Sequence, residues 1–126
     1  MSQPTSALPK ISIITPSLNQ GQFLEHCLQS ILSQRYENLE MIVIDGGSTD
    51  ETLEIIQKYA AHLAYWVSEP DAGQSDAINK GFRHATGDLV TWLNADDYYL
   101  DNCLQTVASA YQQHPEASFI FGDGLR

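Results

Sequence analysis

The strongest constraint on this chain is a hydrophobic pattern that changes period at regular intervals. Residues 11–15 (ISIIT) are a short β-branched run stopped by Pro16, which predicts a buried strand. Over residues 22–34 the apolar side chains fall at Phe23, Leu24, Cys27, Leu28, Ile31 and Leu32, the stripe of an amphipathic helix. The alternation continues down the chain. Further strands are predicted at 39–45 (LEMIVID), 63–68 (LAYWVS), 89–93 (LVTWL) and 117–122 (ASFIFG), separated by helices at about 48–61, 74–85 and 101–113. Ser48 and Glu51 have the spacing of a capping box that would open the second helix, with Leu53, Ile56, Tyr59 and Ala60 facing the sheet. Gly87 is placed to close the third helix from a C′ position, and Pro115 ends the fourth. Strands and helices in this order require βαβ units with right-handed crossovers. The expected architecture is an α/β three-layer sandwich around a mostly parallel sheet of about five strands. Residues 1–9 read as a disordered or extended lead-in, and residues 10–126 as one domain.

Composition narrows what such a domain can bind. Six Lys and Arg against sixteen Asp and Glu give a net charge of −10. That balance repels phosphate backbones and counts against nucleic acid as a partner. A phosphorylated ligand can still be held if a divalent cation stands between it and the acids. No apolar run is long enough to span a membrane, and no secretory signal opens the sequence, so the expected location is the cytoplasm or the inner face of the membrane. The two cysteines, Cys27 and Cys103, both fall on predicted helices and read as free thiols. His26, His62, His84 and His114 lie far apart without metal-ligand spacing.

In open parallel sheets, ligands bind beyond the carboxyl ends of the strands. Those ends are acidic here. Asp45 follows the second strand, Glu69 and Asp71 the third, Asp96 and Asp97 the fourth, and Asp123 the fifth, while Thr15, Pro16 and Ser17 follow the first. The opposite edge, at Lys10, Asn38 and His62, is not acidic, although Asp88 and Glu116 lie there. Aspartate favours turns and helix starts, which accounts for any one of these residues better than for the set. Clustered carboxylates are tolerated where a cation neutralises them, and their hard oxygens suit Mg²⁺ or Mn²⁺. Neither a P-loop nor a G-x-G-x-x-G turn follows the first strand, which argues against kinase-like and dinucleotide-binding readings.

Four blocks in order carry a resemblance. They are Pro16-Ser17-Leu18-Asn19, VIDGGSTDET at 43–52, SEPDAGQSDAINKGF at 68–82 and ATGDLVTWLNADD at 85–97. Together they resemble the family 2 glycosyltransferases, whose A-type fold contains a nucleotide-binding α/β half. The resemblance covers residues 10–126. It implies that Thr15, Pro16 and Ser17 line the nucleotide through their backbone, that Asp45 contacts the base edge, and that Asp71 lies near the base. It also implies that Asp96 bonds the ribose and Asp97 coordinates the metal bridging the diphosphate. The chain departs from the family at several places. Leu18 stands where an aromatic residue is frequent, Gly46 where a second Asp is, Asp71 where Asn is usual, and Ile78 where Arg is frequent. Asn94 replaces the first Asp of the D-x-D-like element, which leaves Asp97 as the protein ligand.

The implied reaction is inverting transfer from a nucleoside-diphosphate sugar to a saccharide or lipid-linked acceptor, as in polysaccharide or cell-envelope glycan synthesis, with a divalent cation as cofactor. The catalytic base lies downstream in the acceptor half of such enzymes, so none is assigned, and Asp123 is given no catalytic part. The end at Arg126 leads to the expectation of a donor-binding fragment with weak or no transfer. Apolar surface left open near the fifth strand would then favour homo-oligomers. Two other readings remain: a non-catalytic nucleotide-sugar-binding module, and a receiver-type signalling domain. The second wants an acidic pair after the first strand, where this chain has Thr15 and Pro16.

Overall fold

The β-branched and aliphatic runs are buried on both faces of one parallel sheet, as continuous apolar strands require. The computed structural model describes residues 8–113. Strands β1 (Ile11–Ser17), β2 (Leu39–Asp45), β3 (Tyr65–Ser68) and β4 (Leu89–Trp92) alternate with helices α1 (Gly21–Leu32), α2 (Thr52–Tyr59), α3 (Gln74–His84) and α4 (Cys103–Gln113). A 3₁₀ turn at Ala60–His62 follows α2. All strand pairs are parallel and the order is β3-β2-β1-β4. The predicted fifth strand at 117–122, Asp123, and most of the lead-in lie outside the described residues.

The period-two alternation sorts side chains between two layers. Ile11 and Ile13 of β1 and Met41 and Val43 of β2 join α1, α2 and α4 in the larger core. Ile14, Ile42 and Ile44 point to the other face, against Ala77 of α3. The asymmetry follows from chain order. From β1 to β3 the chain steps one way, whereas β4 returns to the far side of β1, so a right-handed crossover carries α3 over the opposite face. α3 packs close: a Cβ on Gly81 would fall 2.4 Å from Ile14 Cγ2.

Four local expectations are corrected. β1 does not stop at Pro16 but runs to Ser17. Ser17 O accepts from Gly46 N on the β2 side, and Ile14 O accepts from Leu93 N on the β4 side. Alternation therefore turns the nitrogen of Pro16 towards β4, whose pairing has ended by then, and no ladder bond is lost. The capping box does not form, and α2 begins at Thr52 without a side-chain cap from Glu51. Ser48 is instead drawn to Asp45, and Asp50 accepts the Thr52 amide at 2.9 Å. Gly87 closes no helix. α3 ends at Ala85 in an extended conformation, and Gly87 lies where a Cβ would meet Ser12 Oγ at 2.5 Å. Finally, Phe23 and Leu53 face solvent rather than the sheet, and the buried positions of α2 are Thr52, Ile56 and Tyr59.

Candidate functional site at the sheet switch point

The strand order reverses between β1 and β4, the point where open α/β sheets form a ligand crevice. A cavity of about 260 Å³ opens there. Three segments form its walls: Pro16, Ser17 and Leu18 at the end of β1, Asp71, Gly73 and Gln74 leading into α3, and Asn94, Ala95 and Asp96 after β4. These are parts of three of the four blocks that carry the resemblance. Gln74 Nε2 donates to Asn94 Oδ1 at 2.5 Å, tying the start of α3 to the segment after β4.

The segment after β4 keeps a two-residue alternation. Ala95, Asp97 and Tyr99 point inward, while Asn94, Asp96, Tyr98 and Leu100 point outward or lie half-buried. A turn bond from Asp97 N to Asn94 O, 2.9 Å, bends the chain at the acidic pair. The two acids are therefore not equivalent. Asp96 is exposed and faces the cavity, whereas Asp97 is 9% exposed and lies behind its wall. Both act on the Cys27 thiol beneath them. Burial pushes that thiol up to about 12, a Thr15 hydrogen bond lowers it, and the charges of Asp97 and Asp96 raise it further. Cys27 is accordingly a buried neutral thiol, as is Cys103, whose value burial also raises.

Asp45 is built differently. Strand register sets Ser17, Asp45 and Ser68 side by side across β1, β2 and β3. The Ser17 hydroxyl donates to Asp45 Oδ1 at 2.7 Å and the Ser68 hydroxyl to Oδ2 at 2.8 Å. Ser48 gives its hydroxyl at 2.6 Å and its amide at 2.8 Å, and the Gly47 amide adds a fifth donor at 3.1 Å. The carboxylate is 0% exposed. Burial pushes its pKa up, but these donors outweigh that and hold it below the usual aspartate value.

The turn after β1 is bolted to the same knot. Asn19, at φ 52°, accepts the Thr49 amide at 2.8 Å through Oδ1 and donates its own amide to Ser48 Oγ at 2.7 Å. Asp50 Oδ2 accepts the Gly21 amide at 3.1 Å. The turn after β1 is thus fixed at Asn19 and Gly21 by residues 48–50, while Ser17 is held through its own hydroxyl on Asp45.

Of the residues singled out from the sequence, Pro16, Ser17, Asp71 and Asp96 line the cavity. Thr15, Asp45 and Asp97 lie behind its walls, Thr15 at 1% exposure. Sequence reading missed Asn19, Ser48, Ser68 and Gln74 as organising residues. The register of Ser17 and Ser68 on Asp45 needs the strand pairing to be known. Asn19 carried a usable signal, since asparagine after a strand favours the left-handed region.

The donor set suits a divalent ion of the hard type. Among the described residues no three His, Cys, Asp or Glu side chains form a complete metal cage. Mg²⁺ and Mn²⁺ need no such cage, because they use one or two carboxylates and complete their shell with water and phosphate oxygens. Asp96 on the cavity wall is one such carboxylate, and the adjacent Asp97 lies buried behind it.

Residues 12–122 match the family model described as Glycosyl transferase family 2. The PGL/p-HBAD biosynthesis glycosyltransferase of Mycobacterium tuberculosis is 39% identical over 121 residues, covering 93% of this chain and 47% of that relative. Glycosyltransferase GlyA of Streptococcus pneumoniae is 34% identical over 100 residues, 78% of this chain and 14% of GlyA. Among solved structures, the mannosyltransferase PcManGT from Pyrobaculum calidifontis, in complex with GDP-Man and Mn²⁺, superposes with a TM-score of 0.71 at 32% identity, covering 83% of this chain and 32% of its own. TarS 1-349 of S. aureus, in complex with UDP-GlcNAc, gives 0.77 at 28% identity, covering 84% and 32%. The chain therefore spans under half the length of the relatives it matches.

Proposed function

The chain belongs to glycosyltransferase family 2, and from that premise we propose that it forms the donor-binding part of an inverting glycosyltransferase that uses a nucleoside-diphosphate sugar and a divalent cation. The observation that carries this reading is the convergence of three separate sequence blocks on one cavity at the switch point of a parallel sheet. In an acidic chain with a net charge of −10, a cation offsets the repulsion between the carboxylates of the site and a diphosphate. Neighbours of the same fold are described with GDP-Man and Mn²⁺ and with UDP-GlcNAc, which supports the ligand class. The family match sets aside the receiver-type alternative.

In this reading each wall has one task. The backbone of Pro16 and Ser17, held rigid through Asn19 and Ser48, forms the floor under the nucleoside. Asp71 lies towards the base. Asp96 accepts a ribose hydroxyl, and Asp97 holds the cation, with Asp96 at its side. Bound there, the ion neutralises charge on the leaving nucleoside diphosphate. The part played by this chain is to position the donor so that its anomeric carbon faces the acceptor. Asp45 serves the site from below, by fixing the turn on which the base side rests. The acceptor, a saccharide or a lipid-linked glycan, and the base that deprotonates it are left to the acceptor side. No helix of the described residues is long and apolar enough to cross a membrane.

Titration calorimetry with UDP, GDP and dTDP, each with and without Mn²⁺, tests the reading on the wild type and on Asp97→Ala. One nucleoside diphosphate should bind with metal and be lost in the variant. Binding that is indifferent to chelation would remove the cation from the proposal.

A further inference from the structure

Residues 94–102, which carry Asp96 and Asp97, belong to no helix or strand. One polar stripe of α1 and the turn that follows it grips them. It is made by Cys27, Ser30 and Gln34, at the i, i+3, i+7 spacing of a single helix face. The Cys27 thiol donates to Asn94 O at 3.5 Å. On the next turn Ser30 Oγ accepts the Tyr99 amide at 3.0 Å while donating its own proton to Cys27 O at 2.7 Å. Gln34 uses both ends of its amide. Nε2 donates to Leu100 O at 2.7 Å, and Oε1 accepts the Leu104 amide in the first turn of α4 at 3.1 Å. Ser30 and Gln34 are both buried. Asp97 thus hangs between anchors at Asn94 and Tyr99, both of them on α1.

Helix capping alone does not account for the stripe. The usual partner of a first-turn amide is an N-cap side chain of the same helix. Here the acceptor, Gln34, lies 70 residues away from Leu104. A local cap would steady α4 and leave its distance from the sheet open. A long-range one fixes that distance, because a shift of the segment leaves buried donors and acceptors unsatisfied. Resting on the donor-site reading above, we propose that Ser30 and Gln34 are positioning residues for the cation, which hold the Asp97 carboxylate in place by clamping its segment to α1. Neither side chain lines the cavity, so each acts through Asp97 and not on the ligand. Such rigidity matters most for a small hard ion. Mg²⁺ demands near-ideal octahedral geometry at about 2.0–2.1 Å, whereas Ca²⁺ tolerates a looser shell at about 2.3–2.6 Å.

The test reads ion preference, which lost stability alone does not move. Affinity for UDP and GDP is measured by calorimetry with Mg²⁺ and with Ca²⁺ on the wild type, Gln34→Met and Ser30→Ala. Gln34→Met keeps the length of the side chain and removes its hydrogen bonds. Ser30→Ala removes the Tyr99 anchor alone and decides the matter if the Gln34 variant fails to fold. With Mg²⁺ each variant should lose about tenfold in affinity for the nucleotide that the wild type binds, the usual cost of a lost support behind a metal ligand. With Ca²⁺ the loss should stay under about threefold, because that ion accepts a displaced carboxylate. Affinities unchanged with both ions, or lowered by the same factor with both, overturn the proposal while leaving the donor site intact. A wild type that binds neither nucleotide with either ion overturns the donor-site reading, and the clamp with it.

Discussion

Asp45 and Asp71 follow neighbouring strands, and in the sequence they look like the same kind of residue. The structure gives them opposite circumstances. Asp45 is fully buried and takes five donors from Ser17, Gly47, Ser48 and Ser68. Asp71 is half-buried, engages the Gly73 amide and lines the cavity, as Asp96 does from the other side. A carboxylate whose lone pairs are all spoken for can organise a site but has little left to offer a ligand. One with capacity to spare on a cavity wall can recognise one. Acidity at a strand end thus marks two different roles, and hydrogen-bond saturation tells them apart.

The largest expected effect lies on the buried side of this comparison. Asp45→Ala strips five donors of their buried acceptor, and a loss of about 3 kcal/mol is expected in urea unfolding. A loss under about 1 kcal/mol would mean that the knot is not structural. The pH dependence has a definite sign. The folded pKa of Asp45 is depressed, so its contribution is complete above the unfolded value of about 3.9 and is lost as pH falls through the folded value. The stability gap between wild type and Asp45→Asn should therefore be level at neutral pH and narrow below about pH 4. A gap that widens in acid would contradict the assignment.

On the cavity side, binding should respond more than stability. Asp97→Ala, or chelation of the wild type, should weaken nucleoside-diphosphate affinity by at least about tenfold, read by calorimetry. Equal affinity with and without metal would leave Asp97 as a buried structural acid like Asp45. Asp96→Asn should lower affinity several-fold, on the order of 1 kcal/mol for one hydrogen bond, while urea stability stays within about 0.5 kcal/mol. If stability fell and affinity held, Asp96 would belong with Asp45. A similar magnitude, read in stability alone, is expected for Gly73→Ala. No atom lies within 4 Å of the added methyl, so its cost is conformational only, about 1 kcal/mol at φ 114°. Thermal unfolding measures that cost.

Much of the fold was legible where side-chain periodicity is strong. The second strand, expected at 39–45, is β2 residue for residue, and the start of α3 at Gln74 also agrees. The misses arise where long-range contacts outcompete local rules. Ser48 has the spacing of a capping residue, but a buried carboxylate is a stronger partner for its hydroxyl than a solvent-exposed helix amide. Pro16 ends strands when its missing donor faces a neighbour, and here it faces none. Gly87 looked like a helix stop, yet it is small because Ser12 and Lys10 press on it. At the site, Pro16, Ser17, Asp71 and Asp96 were legible as cavity residues, whereas Asn19, Ser68 and Gln74, which tie the surrounding loops and strand ends to one another, were not.

The sequence by itself determined the layer order, the parallel sheet and the edge at which acids collect, because those follow from hydrophobic period and from the chirality of βαβ connections. Which acid is saturated and which faces the cavity was decided only in the tertiary structure. Register sets Ser17 and Ser68 beside Asp45, and a loop 25 residues away brings Asp71 over the bare backbone of Gly46. Such pairings depend on separations that no local pattern encodes. The acidic pair that drew attention first is split by the same logic, since a strand-like alternation turns Asp97 inward and leaves Asp96 at the cavity.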